Sequence, residues 1–208
     1  MPTPWLTGVL TRGTPLDPGV PWRPAAAESW EVELRQGLVR HVVGDVLVAG
    51  DVGVDTPQDA AVRAGALALL LPADVVVLGA AALWVHLGHP LPAPTEVLVT
   101  GRRPTASVGG VVVRRSRART HGADVVAVGP LRVSSPVRAL LEAATTAPHR
   151  APGWRAALAR AGLLDAASIE RASSAARGRT GVRVARRALS LPRSATPRAL
   201  SPSAGARP

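Results

Sequence analysis

Aromatic residues make up only 2% of this 208-residue chain: five Trp, with no Phe and no Tyr. Hydrophobic residues nevertheless reach 47%. A core is therefore available, but it must be assembled from Val, Leu and Ala. A buried Val or Leu contributes about 1.5–3 kcal/mol and an Ala less, so many have to be collected. The length allows one to two domains. No run approaches the ~20 apolar residues that a membrane-spanning helix needs. Met1-Pro2-Thr3-Pro4 lacks a basic stretch followed by an apolar one, so no signal peptide is expected and a cytoplasmic location is.

The local signals predict a mixed α+β chain. Residues 1–25 are rich in Pro and Gly and show no clean period. A weak helix is expected from about Ala26 to Gln36, stopped by Gly37. Leu38 to Ala49 reads as a hairpin around Gly44-Asp45, with β-branched residues on both sides. Thr56-Pro57 is a hydroxyl cap followed by proline, and predicts a helix to about Leu71. A short buried strand (Val75–Leu78) and an apolar helix (Gly79–His86) follow. Strands are expected at Glu96–Thr100, Gly110–Arg115, Val125–Val128 and Leu131–Val133. Ser135-Pro136 repeats the cap-plus-proline device and starts a helix to about Thr146. Helices are then expected at Pro152–Ala161, Ala166–Ala176 and Thr180–Leu191. From Pro192 onward no usable apolar face remains, which predicts a disordered basic tail.

Missing residue types narrow the chemistry. The chain has no Lys, Cys, Tyr or Asn. This removes a P-loop lysine, a Schiff-base lysine, a thiol or tyrosine nucleophile, disulfides and cysteine-based zinc sites. His86 and His89 lie three apart, but the other histidines are scattered and no metal site is expected. No paired-carboxylate signature stands out among Asp51, Asp55, Asp59 and Asp74. The expectation is a non-enzymatic protein without a cofactor.

The charge is unevenly placed. Twenty of the 25 basic residues, all arginine, follow Thr100, against four acids, a balance of +16. Residues 1–100 hold five arginines and ten acids, a balance of −5. A G+C-rich genome would account for arginine in place of lysine, though not for its position. A basic half is the electrostatic footprint of a polyanion binder; solubility is the plainer reading.

The segment Gly129-Pro130-Leu131-Arg132-Val133-Ser134-Ser135-Pro136-Val137-Arg138-Ala139-Leu140-Leu141-Glu142-Ala143 resembles the "G-L-P-V-T-S-P-x-R-T-L-x-D-L-A" segment of AbiEi-type antitoxins of type IV toxin–antitoxin systems. Val46-Leu47-Val48 resembles the "G-V-Y-V" end of that family's wing. Gly79-Ala80-Ala81-Ala82-Leu83-Trp84-Val85-His86-Leu87-Gly88 resembles its "S-x-x-T-A-A-x-L-H-G" helix, and Arg177-Gly178-Arg179-Thr180-Gly181-Val182 its "R-G-R-x-G" turn. The resemblance covers roughly Leu38 to Leu191. It implies a winged helix followed by an α/β antitoxin domain, binding of the protein's own promoter DNA, and neutralisation of a nucleotidyltransferase-like toxin. The chain departs from the pattern in three ways. Its first 37 residues are proline-rich where a helix-turn-helix belongs. Leu47 and Glu142 stand for the family Tyr and Asp. The endonuclease-like extension of some relatives is replaced by Pro192–Pro208.

The expected organisation is thus a degenerate winged-helix-like region (1–52), a small mixed sheet with C-terminal helices (53–191) and the tail (192–208). Two arginine groups are candidates for contacting DNA or an acidic protein. The first is Arg102, Arg103, Arg114, Arg115 and Arg117, on adjacent strand ends if those strands pair; Arg114 and Arg115 must then face opposite ways. The second is Arg183, Arg186 and Arg187, at i, i+3 and i+4 on one helical face opposite Val182, Ala185 and Leu189. A solvated hairpin tip and an ordinary amphipathic helix are the plain alternatives. A scaffold for protein partners that has lost DNA binding is the alternative function. Ser135 and Pro136 read as a helix start. Arg138, near the unfavourable end of a helix dipole, calls for an acidic partner such as Asp124 or Glu142.

Overall fold

The computed structural model describes residues 19–25, 29–89, 91–100, 106–116, 120, 122–165, 167–169 and 182–190. It is a mixed α+β fold built on a two-stranded and a six-stranded sheet. Helix α1 is Glu31–Arg35, followed by strands β1 (Val39–Val43) and β2 (Val46–Ala49). Helix α2 is Ala60–Ala68, β3 Val76–Leu78 and α3 Gly79–Leu87. Strands β4 (Glu96–Val99), β5 (Ala106–Val108), β6 (Val111–Arg115), β7 (Val125–Val128) and β8 (Leu131–Ser134) come next. Helices α4 (Pro136–Thr146), α5 (Ala151–Arg160) and α6 (Val182–Ser190) close the order.

The large sheet runs β5-β6-β4-β3-β8-β7. Its centre pairs β3 with β4 antiparallel and with β8 parallel. Strand β4 pairs with β6 in parallel. Strand β3 is buried along its whole length, Val76 at 3% and Val77 and Leu78 at 0% exposure. That continuous apolar run is what a strand needs when both its faces are covered. The expected core of Val, Leu and Ala is present, and one buried cluster joins the β1–β2 hairpin, α2, the sheet and the C-terminal helices. The core is therefore continuous across residue 52.

Gly44-Asp45 forms the expected hairpin turn, with Gly44 at φ 56°. The turn is docked on the Gly109 turn. Asp45 N–H donates to the Gly109 carbonyl at 2.9 Å, and a Cβ on Gly109 would collide with the Asp45 carboxylate. Gly109 also sits at positive φ, 55°, so glycine is required there both by space and by backbone.

Several boundaries differ from the sequence expectation. Helix α1 is confined to five residues, and residues 26–28 lie outside the described set. Helix α2 ends at Ala68, not Leu71, because Leu70 N–H bonds back to Leu67 O in a tightened turn ahead of Pro72. Its start is preceded by a 3₁₀ turn, Pro57–Asp59, in which the Asp59 carboxylate accepts both Thr56 N–H and Thr56 Oγ–H at 2.8 Å. Strand β5 was not expected at all. Of the helix expected at 166–176, only a helical turn at 167–169 is described. The tail 192–208 lies outside the described residues. No helix among the described residues is long and apolar enough to cross a membrane.

Candidate functional site

The C-terminal arginine group stands on a helix with a sharply divided surface. Ala185 (0%), Ala188 (6%) and Leu189 (4%) are buried against α4 and α5. Arg183, Arg186 and Arg187 are exposed. The expected division holds for these residues; the Val182 side chain lies outside the described set. Two alanines and a leucine supply the inward face, so the helix can lie close to its neighbours while Arg183, Arg186 and Arg187 remain exposed.

Helix α5 repeats the plan. Ala151, Trp154, Ala157 and Leu158 are buried, while Arg155 and Arg160 are exposed, as is Arg150 just before it. Arg155 links the two helices by donating from one terminal nitrogen to the Leu189 carbonyl at 2.6 Å. Leu189 lies in the last turn of α6, where carbonyls lack helical partners and cations are favoured. Arg186 and Arg187 stand within one turn of Leu189 on the same helix. Neither α5 nor α6 contains an acidic residue. The sequence reading missed Arg150, Arg155 and Arg160; the signal for them was a predicted helix with arginines and no compensating acids.

The other arginine group divides. Arg102, Arg103 and Arg117 lie outside the described residues. Strands β4 and β6 do pair, with Leu98 beside Arg114 and Val99 beside Arg115. Arg114 and Arg115 therefore face opposite sides of the sheet, as strand alternation requires. The hairpin involved is β5–β6, whose tip is Gly109-Gly110; the arginines are at its open end, which corrects the hairpin-tip reading. Arg114 is engaged by Glu96 at 2.9 Å. Both partners are more than half exposed, so the pair holds little energy, but it lowers the charge on that face. Arg132 is also exposed, on β8, and was not anticipated.

Arg23, Arg40 and Arg63 of the first hundred residues are tied to partners within the fold. Arg23 pairs with Asp45 at 2.7 Å and Arg40 with Asp55 at 2.8 Å. Arg63 is fully buried. Its guanidinium donates to Val85 O twice, to Val54 O at 2.8 Å and to Thr56 O at 2.6 Å. It also lies 5.9 Å from the centre of the Trp84 ring. Burial lowers its pKa to about 10, with Asp59 and Asp55 opposing, so it remains a cation at neutral pH. Its role is to join α2, the 54–56 segment and the carboxyl end of α3.

The start of α4 is a second internal polar cluster. Pro136 occupies the first helical turn as expected. Ser135 stands at the cap position, but its hydroxyl makes no capping bond; its backbone N–H is taken by Asp124 O at 2.8 Å. The cap is thus positional, a correction to the side-chain reading. Of the two acids considered for Arg138, Glu142 is the partner, at 2.6 Å one turn along. His86 is buried, with Nε2 2.8 Å from Ser134 O. Among the described residues no group of three His, Asp or Glu side chains is arranged to hold a metal ion. No family model, curated protein or solved structure matches the chain.

Proposed function

We propose that this chain is a non-enzymatic, antitoxin-like regulatory protein that binds a polyanion, foremost the backbone of DNA, through the arginine-bearing surface of α5 and α6. One observation carries the reading: two packed helices expose Arg155, Arg160, Arg183, Arg186 and Arg187 without an acid in either helix. Like charge carried by two packed helices is opposed by self-repulsion, and phosphates would relieve it. Arginine also matches phosphate by forked hydrogen bonds that a lysine cannot reproduce. The front half is a poorer place for the same task, because Arg23, Arg40 and Arg63 are engaged by Asp45, Asp55 and backbone carbonyls. The turn of its hairpin is docked on Gly109, unlike a wing tip reaching for a groove.

Neutralisation of a nucleotidyltransferase-like toxin belongs to this reading through the resemblance of Gly129–Ala143 to antitoxins. An acidic protein surface would meet the same arginines, so partner and DNA would compete. The test is fluorescence anisotropy with a short labelled duplex at low and moderate salt. Affinity should fall steeply with salt, with a log–log slope of about −0.9 per phosphate contacted. Absence of binding at low salt, together with capture of an acidic protein that R183Q/R186Q/R187Q abolishes, would transfer the surface to a protein partner.

A further inference from the structure

A cleft of about 300 Å³ opens between the end of α2 and the core-facing side of the sheet. Its walls are aliphatic: Leu70, Leu71 and Val75 on one side, Val99, Val108 and Val113 on the other. Leu69, also in the lining, is 46% exposed, so apolar surface continues to the outside. The size is at the small end of ligand pockets, and none of the described residues lining it is aromatic.

Two polar groups bear on this cleft. Thr100 lines it, and its hydroxyl oxygen already accepts Val76 N–H at 3.2 Å. A hydroxyl that accepts once retains its own proton to donate. Arg115 is fixed beside the cleft by register. It is the parallel neighbour of Val99 and lies two residues beyond Val113, so it shares their face of the sheet. Ser116 N–H, bonded to Val99 O at 2.7 Å, holds that register past the strand end. Arg115 is exposed, and no described acid forms a salt bridge with it, whereas its neighbour Arg114 is held by Glu96 on the opposite face.

We infer that this cleft binds a short aliphatic carboxylate, with the alkyl chain between Leu71 and Val113 and the carboxylate at Arg115. Aliphatic walls favour a saturated chain, and an exposed arginine favours an anion over a neutral head. The site is separate from α5 and α6 and does not depend on their binding DNA.

Isothermal titration of the full chain with octanoate, and with octanol as the neutral probe, tests this at low salt. Both should bind, octanoate the tighter. Arg115→Gln should weaken octanoate about fivefold or more, the scale of a charge-assisted contact at an exposed site, and leave octanol unchanged. Ala106→Trp, at an exposed position on the cleft rim, should abolish binding of both while a thermal melt shows the fold intact. R183Q/R186Q/R187Q should leave octanoate binding untouched. The inference is overturned by no binding of either probe, by octanoate binding that survives Ala106→Trp, by equal loss of both probes in Arg115→Gln, or by loss in the α6 variant.

Discussion

Arg138 donates to one oxygen of Glu142 at 2.6 Å, and the other oxygen of Glu142 accepts the N–H of Gly79 at 3.1 Å. One carboxylate thus pairs a cation at the start of α4 and satisfies an orphan donor at the start of α3. Side-chain exposures of 9% and 14% make the ion pair largely buried. Removing one member of such a pair leaves an uncompensated charge. Arg138→Ala should therefore destabilise the fold by about 3 kcal/mol or more, read as a lower urea midpoint at neutral pH. A change within the range of a surface substitution would mean that water reaches Glu142 freely.

Burial raises the Glu142 pKa, and Arg138 opposes the shift without cancelling it. The folded state then binds a proton more readily than the unfolded one. Its contribution to stability is present below the ordinary carboxylate range and is lost as pH rises through the raised pKa. Glu142→Gln keeps an acceptor for Gly79 and cannot ionise. Its stability relative to the parent should improve as pH rises from about 4 toward 7, measured by urea denaturation across that window. The opposite trend would show that attraction to Arg138 outweighs desolvation.

His86 carries the reverse sign. Burial depresses its pKa, Ser134 O pulls the other way, and the Arg63 cation adds to the depression. The folded state favours neutral imidazole, so stability is present above about 6.5 and is lost as pH falls below it. His86→Gln retains a donor for Ser134 O without the titration. It should flatten the loss of stability between about pH 6.5 and 5. An unchanged slope there would assign the acid sensitivity to other groups.

Arg63 joins three segments through the carbonyl oxygens of Val54, Thr56 and Val85. Arg63→Met fills similar space but takes the guanidinium donors away from the Val54 and Val85 carbonyls, and should cost about 3 kcal/mol or more. Arg63→Lys should rescue only part, because one ammonium cannot serve three separated carbonyls with a planar fork. Thermal melts of both variants at neutral pH check the order. Equal stability of Lys and Arg would show that charge, and not geometry, is what the site needs.

Local signals were the legible part of this fold. Gly44-Asp45 between β-branched runs marked the hairpin, and Ser135-Pro136 marked the start of α4, because turn and cap chemistry acts over a few residues. Helix α6 was legible from the spacing of Ala185, Leu189 and its arginines. Long-range facts were not. Nothing near Arg63 announces that its carbonyl partners lie in two other segments, and only its place within the apolar helix A-A-V-R-A-G-A-L-A hinted at burial. Three-residue β5 was too short for a period, and the parallel pairing of β4 with β6, which sends Arg114 to Glu96 and Arg115 toward the cleft, follows from topology. Arg155 was overlooked because its acceptor, Leu189 O, is 34 residues away.

The most direct measurement is duplex DNA affinity at about 50 and about 200 mM salt for the parent and for R183Q/R186Q/R187Q. These positions are exposed, so the variant should melt with the parent. The parent should show steep salt dependence, and the variant a slope shallower by up to about 0.9 for each arginine that meets a phosphate. Identical slopes in the two proteins, with binding intact, would contradict it and move the nucleic-acid surface away from α6.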